Sequence, residues 1–466
     1  MRVSARSFWW SIAGAAFIGF GLVANPWLLS RRDMIEATLA AETVFAAVWL
    51  TAEVCRARRR CVPDTPGYLP TRRPPGGGAL LPATFAAIVC MWALLYRDRW
   101  LSPSSPVGDD LDYLQVADNW RTTRDQLFVP YNEHIVLPTR ILTFAIRWLA
   151  RAGFGTLEQW MAAATFTLFL GCSALLFAFA RQEYQSEAMG LLAVSFFAMT
   201  TTYREVIQWY SASQWLFSLS MVLLALWTAQ GLVIRPTAGR LALLGLVCFA
   251  APLTYSIGGL AGPMASFYLM SRGDALNRHR LATLVLPSLA TLAGLTLVAA
   301  LLAEKLASAE YREGFGRGPE EFAPIVALAY CARLVVDVLV LRNCGLDVML
   351  GERLVIAVFP IIPVAVTLSL RNCPRTWSLW PYLALVAGSY AVTMPFRTWA
   401  GYLSAAQWSR YHLMAQAGAA LFFAGVIDRC RCDGRESSRV RLTARQAIAV
   451  LVVAAVQFGL QFRMTR

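Results

Sequence analysis

Charge is what this sequence has least of. Only 15% of its 466 residues are charged, against about a quarter in a soluble domain, so a surface facing water all round is excluded. Lysine is almost absent (Lys305 is the only one), and histidine is confined to His134, His279 and His412. There is no Gly-rich phosphate loop, no Ser/His/Asp set at a recognisable spacing and no ATPase motif. The ten cysteines follow no zinc spacing, and the lone Cys430–Cys432 pair around Arg431 is weak evidence for a metal. Solenoid-type repeats are missing, as is any soluble stretch large enough to fold alone. Acidic residues are scarce inside the apolar runs, which disfavours an ion-coupled transporter, since those bury carboxylates or broken helices at mid-membrane.

What is present is apolar surface. Hydrophobic residues make up 57% of the chain, and runs of about 18–22 apolar residues recur, long enough to cross a hydrocarbon core as helices. Helices are the default there because each backbone N–H and C=O must be paired within its own segment. The sequence predicts an all-α, polytopic transmembrane protein of about thirteen spans, near 8–29, 34–54, 78–96, 158–180, 187–203, 213–234, 240–257, 258–271, 281–303, 352–370, 377–395, 410–427 and 446–462. The first run, from Phe8 to about Leu29 behind Arg2 and Arg6, is long for a signal peptide and carries Trp9, Trp10 and Trp27; it reads as a retained span.

The net charge of +14 is carried by arginines in short loops between apolar runs. That is the positive-inside pattern and not a nucleic-acid surface. Loop 55–77 holds Arg56, Arg58, Arg59, Arg60, Arg72 and Arg73, and loop 428–445 holds Arg429, Arg431, Arg435, Arg439, Arg441 and Arg445. Both are expected in the cytosol, with the smaller groups Arg235/Arg240, Arg272/Arg278/Arg280 and Arg371/Arg375. Cys55, Cys61, Cys373, Cys430 and Cys432 share that side, where thiols stay reduced; Cys331 and Cys344 fall on the other, where a disulfide is compatible. Sides alternate without conflict if 320–345, which contains Arg333 and Asp337, does not span but rests on the outer face as an amphipathic helix. Pro252 to Pro263, with Gly258-Gly259 inside, is predicted to be a tight outer reversal.

The remaining loops, 97–157, 204–212, 304–351 and 396–409, collect on the extracytoplasmic side together with most of the carboxylates, histidines and aromatics. Within the first, Ile135 to Ala150 reads as a helix in the interface plane, with Arg140 and Arg147 on one side and apolar residues on the other. The turn Gly108-Asp109-Asp110-Leu111-Asp112-Tyr113 carries three carboxylates within four residues. Such crowding poises one of them as a proton acceptor or lets them share a divalent cation, the one cofactor considered for Asp109/Asp110; a solvated acidic turn is the plain alternative. Tyr131-Asn132-Glu133-His134 places a histidine where it can donate to a phosphate or hydroxyl, or where Asn132 merely caps the next helix. Phe396-Arg397-Thr398-Trp399 and Gln407-Trp408-Ser409-Arg410-Tyr411-His412 flank one outer loop. Arg397 and Arg410 suit capture of a lipid-linked phosphate, because a guanidinium fork binds two oxygens, or else they snorkel within an aromatic belt. The turn from Tyr203-Arg204-Glu205 to Trp209-Tyr210 offers sugar stacking under the same ambiguity.

Taken together, the acidic Gly108-Asp109-Asp110 element in the first large outer loop, the Asn132-Glu133-His134 and Ser409-Arg410-Tyr411 elements and the polytopic body resemble the GT-C superfamily of membrane glycosyltransferases, in particular poorly characterised bacterial members. The likeness covers the chain in architecture, through short motifs. In that family the acidic motif commonly follows the first span; here two further spans precede it. Residues 1–77 are therefore read as a two-span anchor with its Arg-rich loop, 78–427 as the GT-C-like core, and 428–466 as a second Arg-rich loop with the final span. The resemblance implies an inverting transfer of a sugar from a polyprenyl-phosphate donor to a glycan, lipid or protein acceptor on the outer face of a bacterial inner membrane, the N-terminus lying in the cytosol. It further implies Asp109 or Asp110 as the base, with Asp112, Tyr131, Asn132, Glu133, His134, Arg397, Arg410 and His412 around the substrates. A flippase, or a polymerase or ligase for lipid-linked oligosaccharides, is the competing expectation. A flippase predicts charges lining the middle of the spans; a polymerase or ligase predicts dependence on outer arginines in place of the carboxylates.

Overall fold

The computed structural model describes residues 79–101, 103, 105–131, 134–272, 280–307, scattered positions from 327 to 344, and 376–394, 408–431 and 442–464. The spans expected at 8–29, 34–54 and 352–370, the loop 55–77, and the site candidates Asn132, Glu133 and Arg397 lie outside these residues.

The protein is all-α, with fifteen α-helices among the described residues. They are α1 Leu80–Leu95, α2 Arg97–Leu101, α3 Asp109–Val116, α4 Trp120–Gln126, α5 Leu137–Arg151, α6 Leu157–Glu183, α7 Glu187–Ala198, α8 Arg204–Gln208, α9 Gln214–Ile234, α10 Ala238–Ala250, α11 Ala261–Ser271, α12 Arg280–Ala307, α13 Trp380–Thr393, α14 Leu413–Arg431 and α15 Ala444–Met464. Four stretches are long and apolar enough to cross a membrane, Leu157–Glu183, Tyr210–Ile234, Thr283–Ala303 and Ala444–Phe462. At about 1.5 Å per residue, the 27 residues of α6 exceed a bilayer's hydrocarbon thickness.

Local chemistry sets the ends. Thr156 and Gln159 close a capping box at the start of α6, answering two orphan N–H groups. Gln185 adopts φ 49° and reverses the chain into α7, where Ser186 Oγ accepts from Met189 N–H. Helix α7 ends at Ala198, short of the expected 203, because Thr200, Thr201 and Thr202 bond to one another and to other helices. The expected reversal at 252–263 is built from two 3₁₀ turns, Ala251–Leu253 and Ser256–Leu260.

For orientation, the end of the bundle carrying residues 97–156 is called upper. Aromatic and aliphatic side chains fill the interior; the Trp92 and Phe169 rings stack at 3.9 Å and Phe169 stacks on Phe197. Helices cross closely where a side chain is missing. A Cβ on Gly262 of α11 would run into the Pro287 carbonyl and the Thr291 hydroxyl of α12, and one on Gly294 into the Phe249 carbonyl of α10. Small residues at such crossings are the membrane-protein solution to close packing. Gly262→Ala is expected to lower thermal stability in detergent by about 1–3 kcal/mol through overpacking. Gly171→Ala, where a Cβ meets nothing within 4 Å, is the control and should leave the melting temperature unchanged or slightly raised.

The lower end is tied by charge. Glu183 pairs with Arg272 and accepts from Tyr268 Oη (2.6 Å) and Gln230 Nε2 (3.0 Å), and Glu187 pairs with Arg181 at 3.0 Å. The upper end is tied by amides: Gln461 accepts from Thr201 N–H and Oγ and donates to the Arg342 carbonyl, while Asn343 donates to Gln416.

Within the stretch 320–345, Tyr330, Leu334 and Val338, one helical face by spacing, are buried in the main core. Cys331 is a free thiol packed against that core.

Candidate functional site

The site candidates are carried by five pieces of chain at the upper end: α3, the paired residues Tyr131 and His134, the first turns of α5, the stretch 204–214, and the 3₁₀ turn Ser409–His412. Gly108 takes φ 54° at the N-cap of α3, a left-handed conformation that favours glycine. The Trp209 ring lies against it, and Trp209 Nε1 donates to the Val107 carbonyl at 3.3 Å. Three carboxylates then occupy the first turn of α3, where the helix N-terminus favours negative charge.

The three do different things. Asp110 turns inward and is 4% exposed; its Oδ1 accepts from Ser211 N–H at 2.7 Å and Oδ2 from Val107 N–H at 3.5 Å. Desolvation raises its pKa from the ordinary aspartate value, against the opposing pull of those N–H groups, the Ser211 hydroxyl and Arg99. Asp112 is exposed and accepts from Tyr131 Oη at 2.9 Å. Asp109, half-buried, reaches the same phenol, whose pKa is raised by burial and then by the two carboxylates. Among the described residues no three His, Cys, Asp or Glu side chains gather as a cation site.

The raised pKa of Asp110 has a sign. Below the ordinary carboxylate range both folded and unfolded chains hold the proton. As pH rises through the raised folded value, the buried carboxyl must ionise against desolvation and stability falls. Asp110→Asn is therefore expected to lose less thermal stability than the parent as pH rises above about 4, as read by melting in detergent.

Tyr113 links the acidic turn to the bundle: its hydroxyl donates to Gln214 Oε1 at 3.0 Å, and its ring lies 4.8 Å from that of Tyr131. Tyr131 and His134 exchange backbone hydrogen bonds of 2.8 and 2.9 Å. His134 Nδ1 meets Ser256 Oγ at 2.8 Å, and its ring packs on Tyr255 at 3.8 Å.

Arg410 pairs with Glu205 and lies over three rings, Trp209, Trp408 and Tyr411, at 5.3, 5.5 and 5.2 Å. Glu205 is also held by Ser409, whose Oγ accepts from Glu205 N–H at 2.6 Å. Among the described residues, the link from Arg410 to the acidic turn runs through the Trp209 ring. His412, by contrast, is wholly buried, its Nδ1 3.2 Å from Tyr390 Oη; it belongs to the interior and not to the surface of the turn.

Asp109, Asp110, Asp112, Tyr131, His134 and Arg410 thus share one connected patch. It adds residues that sequence reasoning passed over: Ser211 and Gln214, which anchor the acidic turn, and Tyr255 under His134. The aromatic turn 203–210 was the visible signal for the first two. Arg140 is the larger omission. Its side chain is 4% exposed, and the Tyr113 and Tyr131 phenols are close enough to oppose the desolvation that lowers its pKa.

The ensemble sets a half-buried carboxylate, a phenol that bridges it to a second carboxylate, an aromatic face and two guanidinium groups around one end of the bundle. That inventory can accept a proton, stack on a ring and hold an anion. No protein-family model and no curated protein matches the chain.

Proposed function

We propose that this protein is a membrane glycosyltransferase of the GT-C type, moving a sugar from a polyprenyl-phosphate donor to a glycan, lipid or protein acceptor with inversion at the anomeric carbon. The observation that carries the reading is the division of labour in the acidic turn. Asp110 is committed to the Ser211 backbone, which leaves Asp109 half-buried beside the Tyr131 phenol. In this reading Asp109 takes the proton of the acceptor hydroxyl as it attacks; the bond to the carrier phosphate breaks and its electron pair leaves with the phosphate. Such a displacement needs a carboxylate in hydrogen-bond reach of the nucleophile and fixed positive charge at the departing oxygen. Trp209, partly exposed and backed by Arg410, is a fitting face for a sugar ring.

Sidedness supports the same reading. Arg235, Arg240, Arg272 and Arg280 stand at the lower helix ends, the cytosolic side by the positive-inside rule, so the acidic turn belongs on the outer side of a bacterial inner membrane in a chain of about thirteen spans. A donor with its tail in lipid and its sugar in water suits a site at that boundary. The test is transfer of radiolabelled sugar from a polyprenyl-phosphate donor by the purified full chain in lipid nanodiscs, parent against Asp109→Asn. Transfer that persists without Asp109 and Asp110 but dies with the outer arginines points to a polymerase or ligase instead. Movement of the donor across the bilayer without transfer points to a flippase.

A further inference from the structure

At the upper end, Thr139 Oγ, Arg140 Nε and Nη1, Ser213 Oγ and Trp215 Nε1 are buried side-chain atoms that lack a hydrogen-bond partner. Each can donate, and the guanidinium and indole N–H groups can do nothing else. A native interior leaves few such groups unanswered.

Arg140 is the strongest of them. Its guanidinium cannot shed its proton in a protein, yet it has no ion pair or hydrogen bond among the described residues, and desolvation is the main influence acting on it. The same helix shows what a satisfied arginine looks like: about two and three turns further along α5, Arg147 and Arg151 both pair with Asp118. Arg140 has no such carboxylate. It lies in the first turns of a 15-residue helix whose N-cap, Val136, offers no side-chain cap, so the helix end adds its own positive potential. The buried face of α5 continues through Thr143, which bonds Tyr210 Oη at 3.0 Å, and so abuts the 210–214 stretch that carries Ser211, Ser213 and the anchor of Asp110.

We infer that Arg140, with Thr139, forms an anion subsite that holds the phosphate of a lipid-borne ligand beside the Tyr113–Tyr131 pair. The subsite stands on the orphaned donors; that its phosphate is carried on an isoprenoid rests on the reading proposed above. It gives the leaving phosphate a cation that Arg410, already paired with Glu205, does not need to supply. A phosphate presents several acceptor oxygens, the chemistry that a guanidinium fork favours.

The test uses the full chain in detergent micelles and measures binding of farnesyl phosphate, farnesol and inorganic phosphate by calorimetry, with vesicles of phosphatidylglycerol as competitor. Farnesyl phosphate is expected to bind at least tenfold tighter than the other two, with no competition from the vesicles. Arg140→Gln should weaken it by about 10- to 100-fold, as expected for losing a charge-assisted contact, and Arg140→Lys by about tenfold, since the fork is lost and the charge kept. Arg147→Gln should leave binding unchanged. The inference is overturned if farnesol binds as well as farnesyl phosphate, if inorganic phosphate or phosphatidylglycerol proves the better ligand, or if the Arg140 variants bind like the parent. Should Arg140→Gln not fold, unchanged binding by Arg140→Lys overturns it equally. Arg140-dependent binding without any sugar transfer leaves the subsite standing and removes the glycosyltransferase reading; transfer and binding both indifferent to Arg140 do the reverse.

Discussion

Asp109→Asn is expected to reduce sugar transfer by about 10²- to 10⁴-fold, the range by which a positioned general base contributes, with little change in the apparent affinity for the lipid-linked donor. The amide is nearly the same size and still accepts from Tyr131, so the turn should keep its shape; what is lost is the proton acceptor. Asp110→Asn should behave differently. Asp110 acts through the 2.7 Å bond from Ser211 N–H, which an amide oxygen can also accept, so its loss should be milder and should appear as an altered pH profile. Tyr131→Phe removes the hydroxyl that serves Asp112 and Asp109 and should move the pH dependence of transfer. If Asp109→Asn stays within about threefold of the parent while Asp110→Asn is dead, the base is Asp110. If both variants are active, a general base in this turn is wrong.

The second large effect lies at the opposite end and concerns folding. Arg272→Ala removes the ionic partner of Glu183 and leaves that carboxylate buried, with only Tyr268 and Gln230 donating to it. Breaking one side of a buried pair typically costs about 3–5 kcal/mol, so a strongly lowered melting temperature in detergent is expected. Glu183→Gln should recover part of that loss in the Arg272→Ala background, because the uncompensated charge disappears. A double-mutant cycle on the two positions should show strong coupling; additive losses would mean that the ion pair does not hold this end together.

Much of the fold was legible because hydropathy over about twenty residues measures what a lipid-facing helix requires. The stretches at 158–180, 213–234, 281–303 and 446–462 match the four long apolar helices within a few residues. Sequence reasoning stops where a neighbour decides the outcome. Arg333 and Asp337 argue against a span at 320–345, but only the structure shows that Tyr330, Leu334 and Val338 pack into the core. The acidic turn was visible as a cluster, yet its division into an anchored Asp110 and a more open Asp109 depends on Ser211, 101 residues away. His134 likewise finds Ser256 across 122 residues. Periodicity placed Arg140 and Arg147 together on α5, but a helical period says which residues share a face, not which way that face is turned. Here the arginine side is directed into the protein, while Ile141 and Trp148 stand outward at 41% and 59% exposure.

That inversion gives α5 the character of a float. Arg147 and Arg151 are moored to Asp118, and Ile141, Ala145 and Trp148 form an oily keel on the outward side. Under the proposed function, that keel would set the height of the helix at the waterline of the bilayer and carry the neighbouring acidic turn with it, so that a carrier anchored by its own tail would meet the carboxylates at constant depth.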